Sequence, residues 1–395
     1  MLRYARNDGG KAREDGGGGH CEEQSDVAIY DCGLLRCARN DGGKAREDGV
    51  VFRGYNSMKR FFTFFFYLLI FSAVFAETKK VEKDYLSFRI TPEIGILNGS
   101  VKEFVFDTAC QNKNHKESEL DWDVKNIIQF GISGDFDILD YVYAGVNFCI
   151  AAPGSSGYMQ DYDWLNSVGT TVGYPKWEND DPYELTNYSK HDNRLEKCLS
   201  ISAGIGGNIF LPKDFKITPF AAYSYDYIGF SGSNGFSSYK SDNFSEQQFS
   251  GKVISYRQES NAILLGIKVQ TTCVPKTFMS AEFCFSPALT FTNAMDYHLR
   301  NGDALAPFGK AYWDKLENIW QLRAGTRAQF IFNQNHSAGL SATIQYIPLQ
   351  KGKNYSKPLA KNEVPEKGKW IENAEISGGV QRLLWSVSLN YSFSL

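Results

Sequence analysis

The 395-residue sequence has little net charge, no paired cysteine motif and few long apolar runs. A formal net charge of −3 disfavours a protein that binds nucleic acid through an excess of Lys and Arg. None of the eight cysteines forms a CxxC pair, and the odd number that follow residue 57 argues against a complete disulfide framework. Beyond residue 76 no stretch is long and apolar enough to cross a bilayer as a helix, and the mean hydropathy is negative. The sequence therefore disfavours a charge-driven nucleic-acid binder, a zinc or redox protein and a helical membrane protein.

The first 57 residues contain an identical internal repeat. Ala-Arg-Asn-Asp-Gly-Gly-Lys-Ala-Arg-Glu-Asp-Gly occurs at 5–16 and again at 38–49. A folded repeat would need an apolar face on which to stack, and this unit has none. Residues 1–57 are interpreted either as a disordered tail or, preferably, as a reading-frame extension across a repetitive DNA element.

A signal peptide is predicted at 58–76. Met58-Lys59-Arg60 is a short basic segment, and an apolar run follows from Phe61 to Phe75. Val74-Phe75-Ala76 is typical of a cleavage site, so the mature chain would begin at Glu77. The alternative is an N-terminal membrane anchor, although the run is short for a spanning helix. Either interpretation predicts export from the cytoplasm.

The mature chain alternates polar and apolar residues with a period of two, which predicts β-strands. At the carboxyl end one face holds Leu383, Trp385, Val387, Leu389, Tyr391, Phe393 and Leu395, and the other holds Ser386, Ser388, Asn390, Ser392 and Ser394. Ten strands are predicted, at about 86–106, 117–133, 138–152, 193–211, 215–231, 251–272, 277–298, 317–332, 336–348 and 379–395.

Such alternation fits either a soluble sandwich or an outer-membrane barrel with aromatic side chains facing lipid. The length of the strands, the signal peptide before them and the aromatic residues near the carboxyl terminus favour the barrel. The predicted connections alternate between short ones, such as 134–137, and long ones, at about 107–116, 153–192, 232–250, 299–316 and 349–378. The fold class expected is therefore an all-β, ten-stranded antiparallel transmembrane barrel whose long loops face outside.

Two polar pairs with i, i+2 spacing are the candidate catalytic residues. Asp161 and Asp163 are predicted to follow the third strand in the second long loop, and Asp296 and His298 to close the seventh strand. On extended backbone, residues i and i+2 point the same way, so each pair presents two proton-handling groups on one face of the same rim. A carboxylate beside an imidazole orients it as a base, and water held against Asp161 would supply the nucleophile without a metal. The alternative is that all four are ordinary solvated loop residues.

Three more residues are weaker candidates by spacing alone. Ser189 and His191 could form a nucleophile and base, but Ser and His at i, i+2 often occur together by chance. A zinc site that joins His191, His298 and an Asp lacks any known ligand spacing. Glu103, near the top of the first strand, could attract a basic side chain or could be a surface residue.

The mature chain resembles the omptin family of outer-membrane proteases from about Leu86 to Leu395. The resemblance is carried, in the family's order, by Asn98-Gly99-Ser100-Val101-Lys102-Glu103, Glu119-Leu120-Asp121-Trp122, Met159-Gln160-Asp161-Tyr162-Asp163-Trp164, Ser189-Lys190-His191 and Asp296-Tyr297-His298. It implies an extracellular groove in which an Asp pair faces an Asp–His dyad around a nucleophilic water. The implied roles are catalytic for Asp161, Asp163, Asp296 and His298, supporting for Ser189 and His191, and substrate-binding for Glu103.

The chain departs from the family at four positions. The second acid of the pocket for a basic side chain is Ala294 here, and the acid two residues before Ser189 is Asn187, so a broader or weaker basic preference is expected. Tyr227 and Glu259 stand where the family grips lipopolysaccharide with arginines. Neither binds phosphate as Arg does, so dependence on lipopolysaccharide is expected to be lost or rebuilt.

The predicted function is an outer-membrane, aspartic-type endopeptidase that cleaves extracellular polypeptides near basic residues, without a metal or other cofactor. The expected partners are polypeptide substrates and outer-membrane lipid, and no nucleic acid. The rival hypothesis is a catalytically silent barrel that acts as an adhesin or as a porin-like protein. A barrel that only binds has no reason to hold all four polar residues of the site.

Overall fold

The computed structural model describes residues 86–108, 115–165, 183–212, 214–299, 308–359 and 368–395. The predicted extension at 1–57 and the predicted signal peptide at 58–76 lie outside these residues and stay predictions. Among the described residues no helix has the length and hydropathy needed to cross a bilayer.

Antiparallel strands make up almost all of the described chain. They are β1 (Leu86–Asp107), β2 (His115–Ile138), β3 (Val142–Ala151), β4 (Gly154–Asp163), β5 (Asn187–Gly207), β6 (Ile209–Leu211), β7 (Phe215–Tyr239), β8 (Glu246–Gln248), β9 (Lys252–Thr271), β10 (Thr277–His298), β11 (Lys310–Ile331), β12 (His336–Pro358) and β13 (Ile371–Ser394). A 3-10 turn, Lys240–Asp242, lies between β7 and β8.

These strands occupy ten positions around a closed ring. β3 and β4 share one position between β2 and β5. β6 continues the position of β5 beside β7, and β8 pairs only with the loop end of β7. β1 pairs with β13 from Arg89↔Ser394 to Asp107↔Ile376 and closes the ring. The predicted ten-stranded antiparallel barrel is confirmed, and the sandwich alternative is wrong because the ring leaves no sheet edge.

The apolar faces of the strands point outward. Leu389 on β13 is 65% exposed, whereas its neighbours Ser388 and Asn390 are 3% and 5% exposed. This arrangement inverts that of a soluble protein and forms the lipid-facing belt of a membrane barrel. Towards the long-loop end the belt stops near Ile96 on β1 and Phe291 on β10, beyond which charged side chains such as Lys102 lie on the outer surface.

An apolar layer fills the lumen just below the long-loop end. The Trp122 ring on β2 stacks on two neighbouring rings across the lumen, Phe230 on β7 and Tyr256 on β9, with centroids 5.5 and 5.7 Å away. Leu316 and Val380 join the same buried cluster. Below it the lumen is polar and includes a contact between Arg323 and Asp226 that crosses from β11 to β7. Because the two aromatic contacts cross the lumen, this layer speaks against a porin-like role.

The predicted turn at 134–137 is wrong. β2 runs on to Ile138, and the chain reverses at Leu139 and Asp140, which have φ of 52° and 63°. The Gly-Asp-Phe-Asp sequence suits a turn, but here Asp135 points inward to Lys268 at 2.5 Å. An inward acid followed by an outward aromatic side chain is the alternation of a strand. The ion pair between Asp135 and Lys268, which could not be seen in the sequence, belongs with a strand and not with a turn at this point.

Several strands also extend further beyond the belt than predicted. β12 continues to Pro358 instead of 348, β11 begins at Lys310 instead of 317, and β13 begins at Ile371 instead of 379. Beyond the belt the outer face meets water, so both faces carry polar residues and the alternation fades. Strand pairing continues regardless, because backbone hydrogen bonds do not depend on that alternation.

Candidate active site at the barrel mouth

Asp161 and Asp163 lie on a strand, which corrects their predicted place in a loop. They end β4, where Asp161 is paired with Leu120 on β2 and with Ser189 on β5. Asp161 is only 6% exposed. The Asp163 carbonyl accepts hydrogen bonds from the backbone N–H of Thr186, at 2.8 Å, and from its hydroxyl, at 2.9 Å, which fasten the end of the strand. This carboxylate pair is therefore held by the sheet on both sides.

Asp296 and His298 end β10, as predicted, and they contact each other. His298 Nε2 lies against Asp296 Oδ2, and the His298 and Tyr312 rings make a T-shaped contact with their centroids 5.4 Å apart. Asp296 is 2% exposed, whereas the His298 side chain is 31% exposed. A buried carboxylate thus orients an imidazole whose ring still reaches the groove, which is the arrangement of a general base with its positioning group.

Contacts across the lumen bring the two walls together. Trp122 is paired with Met159, two residues from Asp161, and stacks on Tyr256, which is paired with Asp296. The two polar pairs therefore flank one aromatic stack at the same level of the barrel.

A second contact ties β9 to β1. The Gln258 amide donates to the Lys102 carbonyl at 3.3 Å and to the Tyr256 hydroxyl at 2.8 Å. Because Glu103 follows Lys102, this contact holds Glu103 beside the strand that carries Tyr256.

Ser189 and His191 form a buried hydrogen-bonded pair beside Asp161. His191 Nδ1 lies 2.5 Å from the Asn234 carbonyl oxygen, which can only accept, so this nitrogen carries the proton. In the neutral ring Nε2 is then left to accept from the Ser189 hydroxyl at 3.1 Å. Asn234 lies in a β-bulge of β7, and this bulge needs Gly235, where φ is +87° and a Cβ would lie 1.9 Å from the Lys190 oxygen.

Glu103 is buried in the same mouth, inward from β1, and is not a surface residue. Its carboxyl is hydrogen-bonded to that of Asp314 on β11. Burial raises the pKa of Glu103 well above its usual value, and the charges of Asp296, Asp314 and Asp161 raise it further. Glu103 therefore lies within electrostatic reach of both walls of the groove.

Asp314 also belongs to the site, although no sequence pattern predicted it. It is fully buried, and Asn354 on β12 donates to its Oδ1 at 2.7 Å. Burial raises the pKa of Asp314 to about 7, although the hydrogen bond from Asn354 acts in the opposite direction. Residue 314 fell within a predicted loop, so its inward direction could not be seen. Extending the period of two back from Leu316 would have revealed it.

These raised pKa values predict that Glu103→Gln stabilises the barrel more at about pH 8 than at about pH 4. The folded state holds the Glu103 proton more tightly than the unfolded chain does. The resulting stability is therefore present below the unfolded pKa and is lost as pH rises through the folded pKa. Gln stays neutral throughout, so the unfolding temperature of the variant should exceed that of the parent only above the unfolded pKa. Thermal unfolding at several pH values measures this.

The matched control for that prediction is Glu317→Gln, an exposed acid on β11 that pairs with Lys315 at 2.7 Å. This variant should follow the parent at every pH. A constant difference between Glu103→Gln and the parent across the pH range would contradict the prediction.

Two of the four positions that depart from the family, Tyr227 and Glu259, lie on the outer wall. They are paired across β7 and β9. Lys197 lies over the Tyr227 ring at 5.0 Å, and Arg257 contacts Glu259 at 3.6 Å. The basic side chains of Lys197 and Arg257 thus lie nearby, but they already contact Tyr227 and Glu259. Whether dependence on lipopolysaccharide is lost or rebuilt stays a prediction.

No group of three or more His, Cys, Asp and Glu side chains with metal-binding geometry occurs in the described part of the chain. The weak zinc alternative with His191 and His298 gains no support there. His191 is occupied by Ser189 and Asn234, whereas His298 lies on Asp296.

Comparisons with known proteins agree with the barrel. The Omptin family model matches residues 84–393. A plasminogen activator of Yersinia pestis is 23% identical over 185 residues, which are 47% of this chain and 54% of that protein. The match thus spans about half the length of that relative. The crystal structure of outer membrane protease OmpT from Escherichia coli superposes with a TM-score of 0.67 at 17% identity, covering 81% of this chain and 100% of that one.

Proposed function

Because this chain belongs to the omptin family, we propose that it is an endopeptidase that cleaves extracellular polypeptides near basic residues. The protein lies in the bacterial outer membrane, and the mouth described above faces outside. The observation that carries the proposal is the contact between His298 and buried Asp296 at the level of Asp161. The relatives named as a protease and as a plasminogen activator support a peptide substrate.

The proposed reaction is direct attack of water on the peptide carbonyl. Asp161 accepts a hydrogen bond from the water and holds it in the groove, while His298 Nδ1, the ring nitrogen that does not face Asp296, takes one of its protons. The water oxygen bonds to the carbonyl carbon, and the protonated imidazole then gives its proton to the departing amine. One water is consumed, and an acid and an amine are formed. No metal or other cofactor enters these steps.

The two remaining carboxylates would act through their neighbours. Asp296 orients the His298 ring and stabilises its charge once it has taken the proton. Asp163 shares a face with Asp161, and two like charges so close resist joint ionisation, which would tune the basicity of Asp161. Asp296 and Asp163 are therefore proposed as positioning residues, whereas Asp161 and His298 touch the water.

Ser189 and His191 are proposed to support Asp161 and not to act as nucleophile and base. Both are buried, and Ser189 is the strand neighbour of Asp161. Ser189→Ala should therefore lower kcat by about 10-fold, because it removes only a hydrogen bond beside the site. Removing a true serine nucleophile costs on the order of 10⁶-fold. Steady-state cleavage of a fluorogenic peptide, with and without a serine-directed phosphonate, separates the two cases.

Loss of all activity in Ser189→Ala, together with covalent labelling of Ser189 by the phosphonate, would overturn the water mechanism. The matched control is Ser237→Ala, a buried serine that is paired with Ser189 on β7. Ser237→Ala shows whether removing a buried hydroxyl group next to Ser189 is enough to lower kcat.

The test of the function itself is peptide cleavage by the protein purified from outer membranes of a protease-deficient host. New termini after basic residues, found by mass spectrometry of a peptide mixture, are the expected result. A folded barrel that cleaves none of the peptides would leave the adhesin hypothesis standing.

A further inference from the structure

A row of four aromatic side chains lies on the outer wall of the barrel mouth. It runs from Trp164, just after β4, and Tyr162 on β4 to Tyr188 on β5 and Phe236 on β7. Neighbouring ring centroids lie 6.3, 5.2 and 6.0 Å apart, and all four side chains are partly exposed. Asp161, the neighbour of Tyr162, points into the barrel, so this aromatic row lies on the back of the strands that carry the site.

The aromatic row lies too far from the bilayer to belong to an interfacial girdle. Tyr162 is paired with Glu119 on β2, nine residues before Ile128, which is 51% exposed in the lipid-facing belt. Nine residues of strand rise about 30 Å, which is about 20–25 Å along the axis at the usual strand tilt. The headgroup layer on each side of a bilayer is only about 5–8 Å thick. The aromatic row therefore faces extracellular water and not lipid.

The two tyrosines in the middle of the row are held down against the wall. The hydroxyls of Tyr162 and Tyr188 both donate to Gln160 Oε1, each at 3.1 Å. Gln160 precedes Tyr162 by two residues on the same face of β4, so the Tyr162 ring leans back along the strand and turns one face outward. The two tyrosine rings meet at 45° and form the floor of a shallow trough. Trp164 does not extend this floor, because Lys116 Nζ lies over its ring at 4.0 Å.

The polar groups around the trough include both donors and acceptors. The Gln160 oxygen accepts from the two tyrosines, whereas its amide nitrogen makes no hydrogen bond within the described chain and can donate to a ligand. Asp121 on β2 is paired with Gln160 and binds Lys102 at 2.8 Å. Lys116 binds Glu119 at 2.5 Å. The charges beside the trough are therefore paired, with no large excess of one sign.

An aromatic floor with a mixed polar rim suits a sugar. A pyranose ring packs a face of C–H groups on an aromatic ring, and the hydroxyls at its edge both donate and accept. Tyrosine offers such a ligand a rigid contact area at low cost in conformational entropy. A proline-rich peptide also binds exposed aromatic rows, but its backbone carbonyls need hydrogen-bond donors. Because both tyrosine hydroxyls already donate to Gln160, the trough favours the sugar.

We propose that the trough of Tyr162 and Tyr188 binds a neutral glycan carried by the polypeptide substrate. This inference rests on the proposed peptidase function and names its substrate class, glycosylated extracellular polypeptides. Tyr162 lies between Asp161 and Asp163, with its ring on the back of the strand end that carries these carboxylates. A peptide bound in the mouth can therefore lay a glycan attached near the scissile bond over the rim. The paired charges beside the trough favour neutral sugars over acidic ones.

The test uses two synthetic peptides of one sequence, with and without a neutral asparagine-linked chain of mannose and N-acetylglucosamine. Titration calorimetry is carried out on His298→Asn in vesicles without lipopolysaccharide, so that neither peptide is cleaved. The glycopeptide should bind about 10-fold more tightly than the bare peptide, the order expected when a sugar stacks on two aromatic rings.

The variants ask whether the two tyrosines carry this gain. Tyr162→Ala or Tyr188→Ala, each added to His298→Asn, should reduce the difference between the peptides to about threefold or less. Tyr162→Phe keeps the ring and should retain more of the difference than Tyr162→Ala does. The matched control is Tyr355→Ala, which removes an aromatic side chain that lies 5.0 Å from Trp313 on the opposite side of the ring. It should retain the full difference.

Equal affinity of the two peptides for His298→Asn would overturn the proposal. So would a gain from the glycan that Tyr162→Ala and Tyr188→Ala both leave intact. Two further probes identify other occupants, a lipopolysaccharide core oligosaccharide and a proline-rich peptide. Binding of either one, dependent on Tyr188, without binding of the mannose chain would overturn the assigned ligand. The shift of the folded barrel on unheated gels checks that each variant folds.

Cleavage kinetics separate failure of the trough from failure of the proposed function. In the active parent the glycan should lower KM by about 10-fold and leave kcat within about twofold, because the trough touches no reacting atom. A gain in affinity from the glycan that Tyr188→Ala removes supports the trough even if the parent cleaves neither peptide. Cleavage of both peptides with the same KM supports the peptidase and overturns the trough.

Discussion

His298→Asn should lower kcat for peptide cleavage by about 10³-fold or more while the barrel stays folded. An imidazole can take a proton near neutral pH, and general-base catalysis is worth about 10²- to 10⁴-fold. Asp161→Asn should cost a similar factor, because an amide holds the water without its negative charge. Single-turnover cleavage of a fluorogenic peptide measures both, since it isolates the chemical step from product release.

The control for His298→Asn is a substitution of His336, a histidine at the other end of the barrel. His336 begins β12, where its Nδ1 lies 2.6 Å from the Tyr391 hydroxyl on the outer wall. His336→Asn should keep the parental rate. The double variant His298→Asn/Asp161→Asn should be little worse than either single variant, because both residues act on one water. Parental rates in both single variants would falsify the mechanism.

Trp122→Ala should destabilise the barrel by about 3–5 kcal/mol, the range for removing a large buried aromatic side chain. Trp122 is fully buried and is stacked on both Phe230 and Tyr256, with interplanar angles of 21° and 10°. The cavity would lie under both polar pairs, and Tyr256 would lose the ring that holds it beside Asp296. Cleavage should therefore fall as well, although Trp122 touches no reacting atom.

Urea unfolding in lipid vesicles measures the loss of stability, and kcat measured below the transition reports the effect on the site. Trp320→Ala is the matched control, because Trp320 is an outward residue of β11 that is 38% exposed. Trp320→Ala should lower the free energy of unfolding by less than Trp122→Ala does, and it should leave kcat unchanged. Equal destabilisation by the two substitutions would mean that the aromatic layer does not hold the two walls together.

The site shows which parts of a sequence can be interpreted locally. Asp296 and His298 lie on β10, whose predicted bounds of 277–298 match the structure, so their inward direction followed from parity. Asp161 lay beyond the alternating region, and only pairing with Leu120 and Ser189 revealed a strand there. Asp314 was missed for the same reason, since the strand that carries it starts before its alternation does.

The sequence by itself determined the barrel, the number of its strands, the end at which the long loops lie and the candidate acid and base residues. These follow from the period of two and from turn spacing, which are local properties. Only the tertiary structure decided that Asp314 lies opposite Ala294 and is hydrogen-bonded to Glu103, and that Trp122 meets Tyr256 across the lumen. Register between strands and contacts across a closed ring depend on residues far apart in the chain. No local pattern encodes which of them will meet.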